Sequence, residues 1–234
     1  MYSFDSRIRY SEIDDKGRLS LPGLINYFQD CSTFQSEDIG LGMEHLQKRN
    51  KAWILSYWQI EITRYPKLGE RVKTGTFATG FKGLYGRRNF MMLDEGQQVV
   101  ARADSVWAFL DMEKGRPTRP DEEDIQPYGI EPALDMKDEG RKIKRLEKGY
   151  EFPAFTVKRC HIDTNKHVNN GQYVQMAMEL LPEDLQVNRL RVEYKKSALY
   201  KDVIFPRFSV EEERTVVELC DKSGSLYAIM EVMN

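Results

Sequence analysis

The sequence has few cysteines, no long apolar run and almost no net charge, and each shortage argues against a class of protein. Its three cysteines, Cys31, Cys160 and Cys220, cannot all pair, so we expect reduced, buried thiols rather than a disulfide scaffold. No apolar run approaches the roughly 18 residues of a transmembrane helix, and the N-terminus lacks a signal core, which predicts a cytoplasmic protein without a membrane partner. The 35 basic and 37 acidic residues nearly cancel, which argues against non-specific nucleic-acid binding but leaves a local basic patch open.

The first half predicts one long helix followed by a strand meander. The apolar residues at helical spacing are Leu21, Leu24, Ile25 and Phe28. Ser20 is a typical N-cap, and the helix should end near Asp38, before two glycines. The predicted strands, rich in β-branched and aromatic residues, are 52–63, 72–81, 88–93 and 99–110, with a hairpin turn at 94–96.

The same order recurs in the second half, which indicates a duplicated α+β unit. An Ile-Asp pair stands at residues 13–14 and again at 162–163, each time before a predicted helix, the second over 170–181. The later predicted strands are 188–194, 203–211, 214–219 and 226–232, with a hairpin turn at 221–224. A fainter echo matches residues 68–72 with residues 199–203, where a turn and charged residues precede a strand.

A proline-rich connector separates the two halves. Four of the nine prolines fall between residues 112 and 150, where they disfavour helix and strand. The predicted units are therefore 1–130 and 150–234, joined by a linker over 131–149. The linker's basic residues are Arg141, Lys142, Lys144, Arg145 and Lys148. They indicate either a solvated segment or a contact for an acidic partner.

The densest polar cluster, residues 160–170, directly precedes the second helix and is the best candidate for chemistry. If the segment is extended, Asp163, Asn165 and His167 point to one side, beside the free N–H groups of a helix N-terminus. Such a site can polarise a carbonyl group and activate water. The first half has the matching Ile-Asp pair but no histidine and no Asn pair, which favours one active site per chain.

Two other interpretations of this cluster stay open. Asp, Asn and Thr before a helix also serve as ordinary turn and capping residues, with Asn169 or Asn170 as the cap. A zinc site would use Cys160, His161, Asp163 and His167. However, adjacent ligands point to opposite sides of an extended chain and no paired metal-binding spacing is present, so we predict no metal. A Cys/His nucleophile pair would need an accessible thiolate, and we expect Cys160 to be an inert, packed thiol.

Several segments together match the pattern of one known protein family. They are residues 24–30, 60–66, 86–88, 105–107 and 116–122. The most specific segment is 163–170, which reads Asp-Thr-Asn-Lys-His-Val-Asn-Asn. These segments resemble the acyl-ACP thioesterases, the bacterial relatives of the plant plastid enzymes, whose motif is Asp-x-Asn-x-His-Val-Asn-Asn. The resemblance implies an α+β double hotdog, in which each of two tandem units has a long helix wrapped by an antiparallel sheet. It also implies that the N-terminal unit holds the acyl-chain tunnel and the C-terminal unit is catalytic.

The resemblance implies hydrolysis of acyl-ACP to free fatty acid, without a cofactor. Asp163, Asn165 and His167 match the family's catalytic positions, and Glu193 matches a glutamate that a cysteine follows in the plant enzymes. Because Tyr194 stands at that cysteine position, a cysteine mechanism is not supported. Either Asp163 or Glu193 would activate water, N–H groups near Asn169 and Asn170 would hold the oxyanion, and a covalent anhydride on Asp163 is a rival.

The partner implied is acyl carrier protein, which is acidic, so basic residues should dock it. The candidates are Arg87, Arg88, Lys142, Lys144 and Arg145. An acyl-CoA thioesterase of hotdog fold and a non-catalytic acyl-binding module stay open as other functions. The sequence leaves open whether the chain acts as a monomer, with its own internal pseudo-dimer, or as a homodimer.

Overall fold

The computed structural model describes residues 1–182, 185–211 and 214–233. The chain divides into unit 1, Met1–Ser56 with Ile60–Asp138, and unit 2, Tyr57–Gln59 with Glu139–Asn234. Each unit has an antiparallel sheet with a helix against one face, so the predicted double hotdog is confirmed. Among the described residues, no helix is both long enough and apolar enough to cross a membrane.

Unit 1 follows the predicted order of a helix and then a meander. Its elements are β1 (Tyr2–Arg7), α1 (Leu21–Asp38), α2 (Met43–Lys48), β2 (Lys51–Ile62), β3 (Arg71–Lys82), β4 (Tyr85–Asp94), β5 (Val99–Asp111), β6 (Arg116–Pro117) and α3 (Glu122–Ile125). The main strand order is β1-β3-β4-β5-β2. The predicted helix and strands are present. The elements β1, α2, β6 and α3 were not predicted, and the last two lie in the segment predicted to be a connector.

The ends of α1 follow from its sequence. The Ser20 hydroxyl accepts a hydrogen bond from the Gly23 N–H at 3.1 Å, which confirms the predicted cap. At the other end Gly40 has a φ of 77°, a conformation that glycine adopts without strain. The helix buries the stripe that includes Leu24, Phe28 and Cys31.

Unit 2 repeats this plan with a shorter helix. Its elements are β7 (Tyr150–Glu151), β8 (Phe155–Thr156), α4 (Asn170–Met178), β9 (Arg189–Tyr194), β10 (Val203–Val210), β11 (Thr215–Cys220) and β12 (Leu226–Met233). The strand order is β9-β12-β11-β10-β7. The helix ends at Met178 rather than at the predicted residue 181, because Pro182 disfavours helical backbone in the residues before it.

The sheet of unit 2 has two differently covered faces. Successive side chains of β9 point to opposite faces, because the strand pairs regularly with β12. The Tyr194 hydroxyl donates to the Asn170 carbonyl at the start of α4, at 3.0 Å. The neighbouring Glu193 carboxylate instead accepts from the Ile143 N–H at 3.2 Å. The helix therefore covers one face, and the connector residues 139–147 cover the other.

The loops that precede β3 and β10 also match, but in a different register from the predicted one. The Glu70 N–H donates to the Lys67 carbonyl at 3.0 Å, as the Asp202 N–H donates to the Leu199 carbonyl at 3.0 Å. Between them, Gly69 and Lys201 share positive φ values of 79° and 75°. The match of 68–72 with 199–203 is thus wrong by one residue.

Candidate active site

The segment before α4 is a closed turn, so the prediction of an extended segment is wrong. Ile162 and Val168 form an antiparallel bridge. Between them the Asp163 N–H donates to the His167 carbonyl at 2.9 Å, and the Lys166 N–H donates to the Asp163 carbonyl at 3.0 Å. The spacing of two therefore does not place Asp163, Asn165 and His167 side by side as it would along a strand.

The Asp163 carboxylate organises this turn from within. Its Oδ1 accepts from the Asn165 N–H at 2.8 Å and, more weakly, from the His167 N–H at 3.4 Å. Short acidic side chains commonly bond the backbone two residues on in this way. Asp163 and His167 are half-buried, while Asn165 is exposed. Among the described residues, nothing bonds to the second carboxylate oxygen, Oδ2, or to the His167 imidazole.

Unit 1 contains the same turn before α1. Asp14 Oδ1 accepts from the Lys16 N–H at 3.0 Å and from the Arg18 N–H at 2.8 Å. The Gly17 N–H donates to the Asp14 carbonyl at 3.0 Å, as Lys166 does to Asp163. Because both copies keep the aspartate and its Oδ1 contacts, this oxygen has a folding role in both.

The two turns differ in what meets the second carboxylate oxygen. In unit 1, Arg18 Nη2 and Nε lie 3.2 and 3.3 Å from Asp14 Oδ2 and neutralise it. In unit 2 the position of Arg18 is occupied by His167, and the position of Lys16 by Asn165. The replacement removes the arginine clamp and leaves Asp163 Oδ2 available as a base or nucleophile.

The N-terminus of α4 offers fewer free donors than predicted. The Asn169 side chain caps the helix by accepting from the Gly171 N–H at 2.8 Å, which confirms the capping role. The Asn169 N–H already donates to the His161 carbonyl at 2.9 Å, so it is not free for an oxyanion. The N–H of Asn170 is therefore the remaining predicted oxyanion donor, because it has no acceptor within the described part of the chain.

Two tyrosines, which the sequence did not single out for this role, hold the turn and the helix in place. The Tyr194 hydroxyl bonds the Asn170 carbonyl, and the Tyr173 hydroxyl accepts from the Ala198 N–H at 2.7 Å. The Ala198 carbonyl in turn accepts from the Val168 N–H at 3.0 Å. Burial raises the pKa of Tyr173 to about 12 and the pKa of Tyr194 well above 10, so both hydroxyls stay protonated near neutral pH.

Glu193 is not brought to this turn. Its carboxylate lies on the connector face of β9, where it accepts from the Ile143 N–H and pairs with Lys195. Tyr194, the next residue, points to the helix face instead. The strand's alternation thus separates Glu193 from Asp163 and His167, which corrects the prediction that it acts with them.

Two family models match this chain, one in each half. A family model for the acyl-ACP thioesterase N-terminal domain matches residues 1–128, and one for the acyl-ACP thioesterase C-terminal domain matches residues 144–224. The chain belongs to the acyl-ACP thioesterase family. The predicted resemblance is therefore confirmed at the level of the family.

Individual relatives of this acyl-ACP thioesterase family member are distant. A chloroplastic acyl-(acyl-carrier-protein) hydrolase of Cuphea viscosissima is 27% identical over 94% of this chain and 55% of its own length. The chain spans about half the length of the curated relatives it matches.

Two solved structures of thioesterases have the same fold. An acyl-ACP thioesterase from Bacteroides thetaiotaomicron aligns with a TM-score of 0.90 and 23% identity, over 99% of this chain and 96% of that one. The 12:0-ACP thioesterase from Umbellularia californica aligns at 0.88 and 20%, over 100% and 97%. At these identities the likeness establishes the fold.

The thiol beside the turn is exposed, which corrects the expectation that Cys160 is packed. His161 is already used by the fold, because its Nδ1 accepts from the Lys158 N–H at 3.1 Å. Burial, with the nearby Lys158 charge, lowers the pKa of His161. Across the described residues, no group of three or more His, Cys, Asp or Glu side chains is arranged to hold a metal ion.

Two predicted carrier-docking arginines have other contacts. Arg88 is 8% exposed and lies in the interior of unit 1, so a protein partner cannot reach it from the surface. Arg145 donates to the fully buried Glu218 from Nε at 3.1 Å and from Nη2 at 3.2 Å, which fastens the connector to the sheet. The structure therefore contradicts docking by Arg88 and gives Arg145 an internal partner.

The remaining docking candidates stay at the surface. Lys142 is exposed, and Lys144 pairs with the exposed Glu147 at 2.9 Å. Arg87 is partly exposed but binds Asp104 at 2.8 Å. Among the described residues, Lys142 and Lys144 are thus the exposed cations of the predicted set that no strand carboxylate binds.

Proposed function

We propose that this chain hydrolyses the thioester of an acyl group carried by acyl carrier protein and releases a free fatty acid. Membership of the family supports the reaction class. The observation that carries the proposal is the open Asp163 Oδ2 in unit 2, set against the clamped Asp14 Oδ2 in unit 1. The acyl chain is proposed to bind in unit 1.

The proposed chemistry uses the turn and the helix together. The thioester oxygen would accept from the Asn170 N–H, because a helix N-terminus stabilises developing negative charge. Asp163 Oδ2 would take a proton from water as the water oxygen attacks the carbonyl carbon. The tetrahedral intermediate would then expel the carrier's sulfur, which receives that proton. His167 and Asn165 would orient the water and the thioester. Attack by Asp163 itself, through an anhydride, is the rival route.

Comparing carriers tests the function directly. Purified protein would be given saturated acyl groups of graded length on acyl carrier protein and on coenzyme A. The proposal expects kcat/KM to be at least tenfold higher on the carrier protein for the best acyl group. A reversed preference would indicate an acyl-CoA thioesterase, and tight acyl binding without turnover would indicate a binding module.

Matched variants in the two turns test the site. His167→Ala should lower kcat by about 10²-fold or more, because it removes a side chain that positions the reacting groups. Arg18→Ala, at the equivalent position of unit 1, should leave kcat nearly unchanged. Cys160→Ser should also be nearly silent, because the proposed mechanism uses no thiol. An inactive Cys160→Ser beside an active, folded His167→Ala would overturn the proposed mechanism.

A further inference from the structure

The interior of unit 1 contains an arginine that the proposed chemistry does not use. Arg88 lies on the face of β4 that α1 covers, and its side chain is 8% exposed. Its Nη1 donates to Gln35 Oε1 of α1 and to Thr76 Oγ1 at 3.2 Å. The Tyr128 ring lies against the guanidinium, with its centroid 5.0 Å from Cζ.

These partners are all neutral. Among the described residues, no carboxylate pairs with Arg88. The other arginine that is buried in the described part of the chain, Arg191, binds Glu231 at 2.6 Å. Nη1 takes both acceptors, so the edge formed by Nε and Nη2 has none in the described chain. That edge is the planar fork with which arginine binds a carboxylate through two parallel hydrogen bonds.

The surroundings indicate what kind of molecule would bring the missing anion. Phe90 follows Arg88 on the same face of β4 and packs against Phe28 of α1, with ring centroids 5.3 Å apart. Thr74, on the neighbouring strand β3, has a buried hydroxyl with no hydrogen-bond partner among the described residues. The interior is thus apolar with isolated polar groups, which is typical of a site for an amphipathic small molecule.

We propose that Arg88 binds a carboxylate carried into unit 1 on an apolar chain. A buried cation without an anion is costly to maintain, and a bound carboxylate would neutralise it. Burial also lowers the pKa of Arg88, in keeping with an uncompensated charge. Two sources share this chemistry: a free fatty acid, and the terminal carboxylate of an acyl chain that is still attached to its carrier.

Equilibrium binding tests the first source without requiring turnover. Calorimetry at pH 8 would compare dodecanoate with dodecan-1-ol, which has the same chain length and no charge, below their aggregation limits. We expect wild-type protein to bind dodecanoate at least tenfold more tightly. Arg88→Met should remove that preference, whereas Arg87→Met, on the opposite face of the same strand, should keep it. Arg88→Lys keeps the charge without the fork and should weaken the preference.

Hydrolysis tests the second source. The rates on octanoyl-ACP and on its analogue with a terminal carboxylate would be compared in wild type and in Arg88→Met. If only one of the two assays shows a preference for the carboxylate that depends on Arg88, that assay identifies whether a free fatty acid or a carrier-bound acyl chain supplies the carboxylate. If neither assay shows a preference for the carboxylate, the proposed site is refuted. Because this preference is measured first on wild-type protein, its absence refutes the site even if the variants do not fold. A protein without thioesterase activity would refute the proposed function while leaving the binding assay decisive for Arg88.

Discussion

The two carboxylate oxygens of Asp163 have different roles. Oδ1 accepts hydrogen bonds from the backbone of the turn, while Oδ2 has no hydrogen-bond partner among the described residues. Asp163→Asn keeps an acceptor at Oδ1 but removes the base. We expect kcat to fall by about 10²-fold or more, with the unfolding free energy changed by less than about 1 kcal/mol. Steady-state kinetics and denaturant unfolding measure the two effects.

The turn in unit 1 provides the control for Asp163. Asp14→Asn keeps the same backbone contacts and loses only the charge facing Arg18, so kcat should not change. Asp163→Ala should lose both functions and destabilise the protein by about 1–2 kcal/mol. A fully active Asp163→Asn would show that the carboxylate serves only the fold.

Tyr194 is expected to act as a support rather than as a nucleophile. Its hydroxyl fixes the Asn170 carbonyl at 3.0 Å, and burial keeps it protonated. Tyr194→Phe should cost about 1 kcal/mol of stability and reduce kcat far less than His167→Ala does. Parallel measurement of both variants checks this. A loss of kcat as large as that of His167→Ala would place the hydroxyl in the chemistry.

Among the elements of unit 2, a buried glutamate binds the connector residues 139–147 to the face of the sheet opposite α4. Glu218 is fully buried and accepts from Arg145, from the Leu146 N–H at 3.0 Å and from Arg207 Nη1 at 3.3 Å. Arg145→Ala should destabilise the protein by about 1.5–3 kcal/mol, because a buried charge loses part of its compensation. Lys144→Ala, which breaks only an exposed pair, should not change stability measurably. Equal effects in thermal unfolding would refute the fastening role of Arg145.

The helix and strand pattern was predictable, because local periodicity decides it. The stripe that includes Leu24 and Phe28 predicts α1 with its observed bounds. The shape of the turn was less visible, although the repeated Ile-Asp pair was a signal: an aspartate kept in both copies suggests a shared structural role. The spacing of two predicts an extended segment instead, whereas the bridge between Ile162 and Val168 and the backbone hydrogen bonds inside it form a turn.

Long-range placement could not be read from the sequence. The face on which Glu193 lies depends on where the connector packs, since Ile143 is 50 residues away along the chain. Arginine usually lies at the surface, so Arg87 and Arg88 were both predicted to dock the carrier there. The structure instead buries Arg88. Strand alternation separates them, with Arg87 binding Asp104 and Arg88 facing α1.

At the scale of the whole molecule, duplication followed by divergence gives one open turn per chain. Both units keep the aspartate turn, the capped helix and the strand order, so these features belong to the fold. The turn of unit 2 differs because it has His167 at the position where the turn of unit 1 has Arg18. The proposed catalysis therefore occurs once per chain, in unit 2.

The partner is proposed to be a whole acidic protein, which makes docking depend on charge. Lys142→Glu combined with Lys144→Glu should raise KM for acyl-ACP at least several-fold and leave a short soluble thioester unaffected, because only the carrier meets these side chains. The effect should shrink as salt rises, since the Debye length is about 10 Å at 0.1 M. Lys82→Glu, an exposed reversal in unit 1, is the control. Equal losses on both substrates would place the two lysines in folding or chemistry rather than in docking.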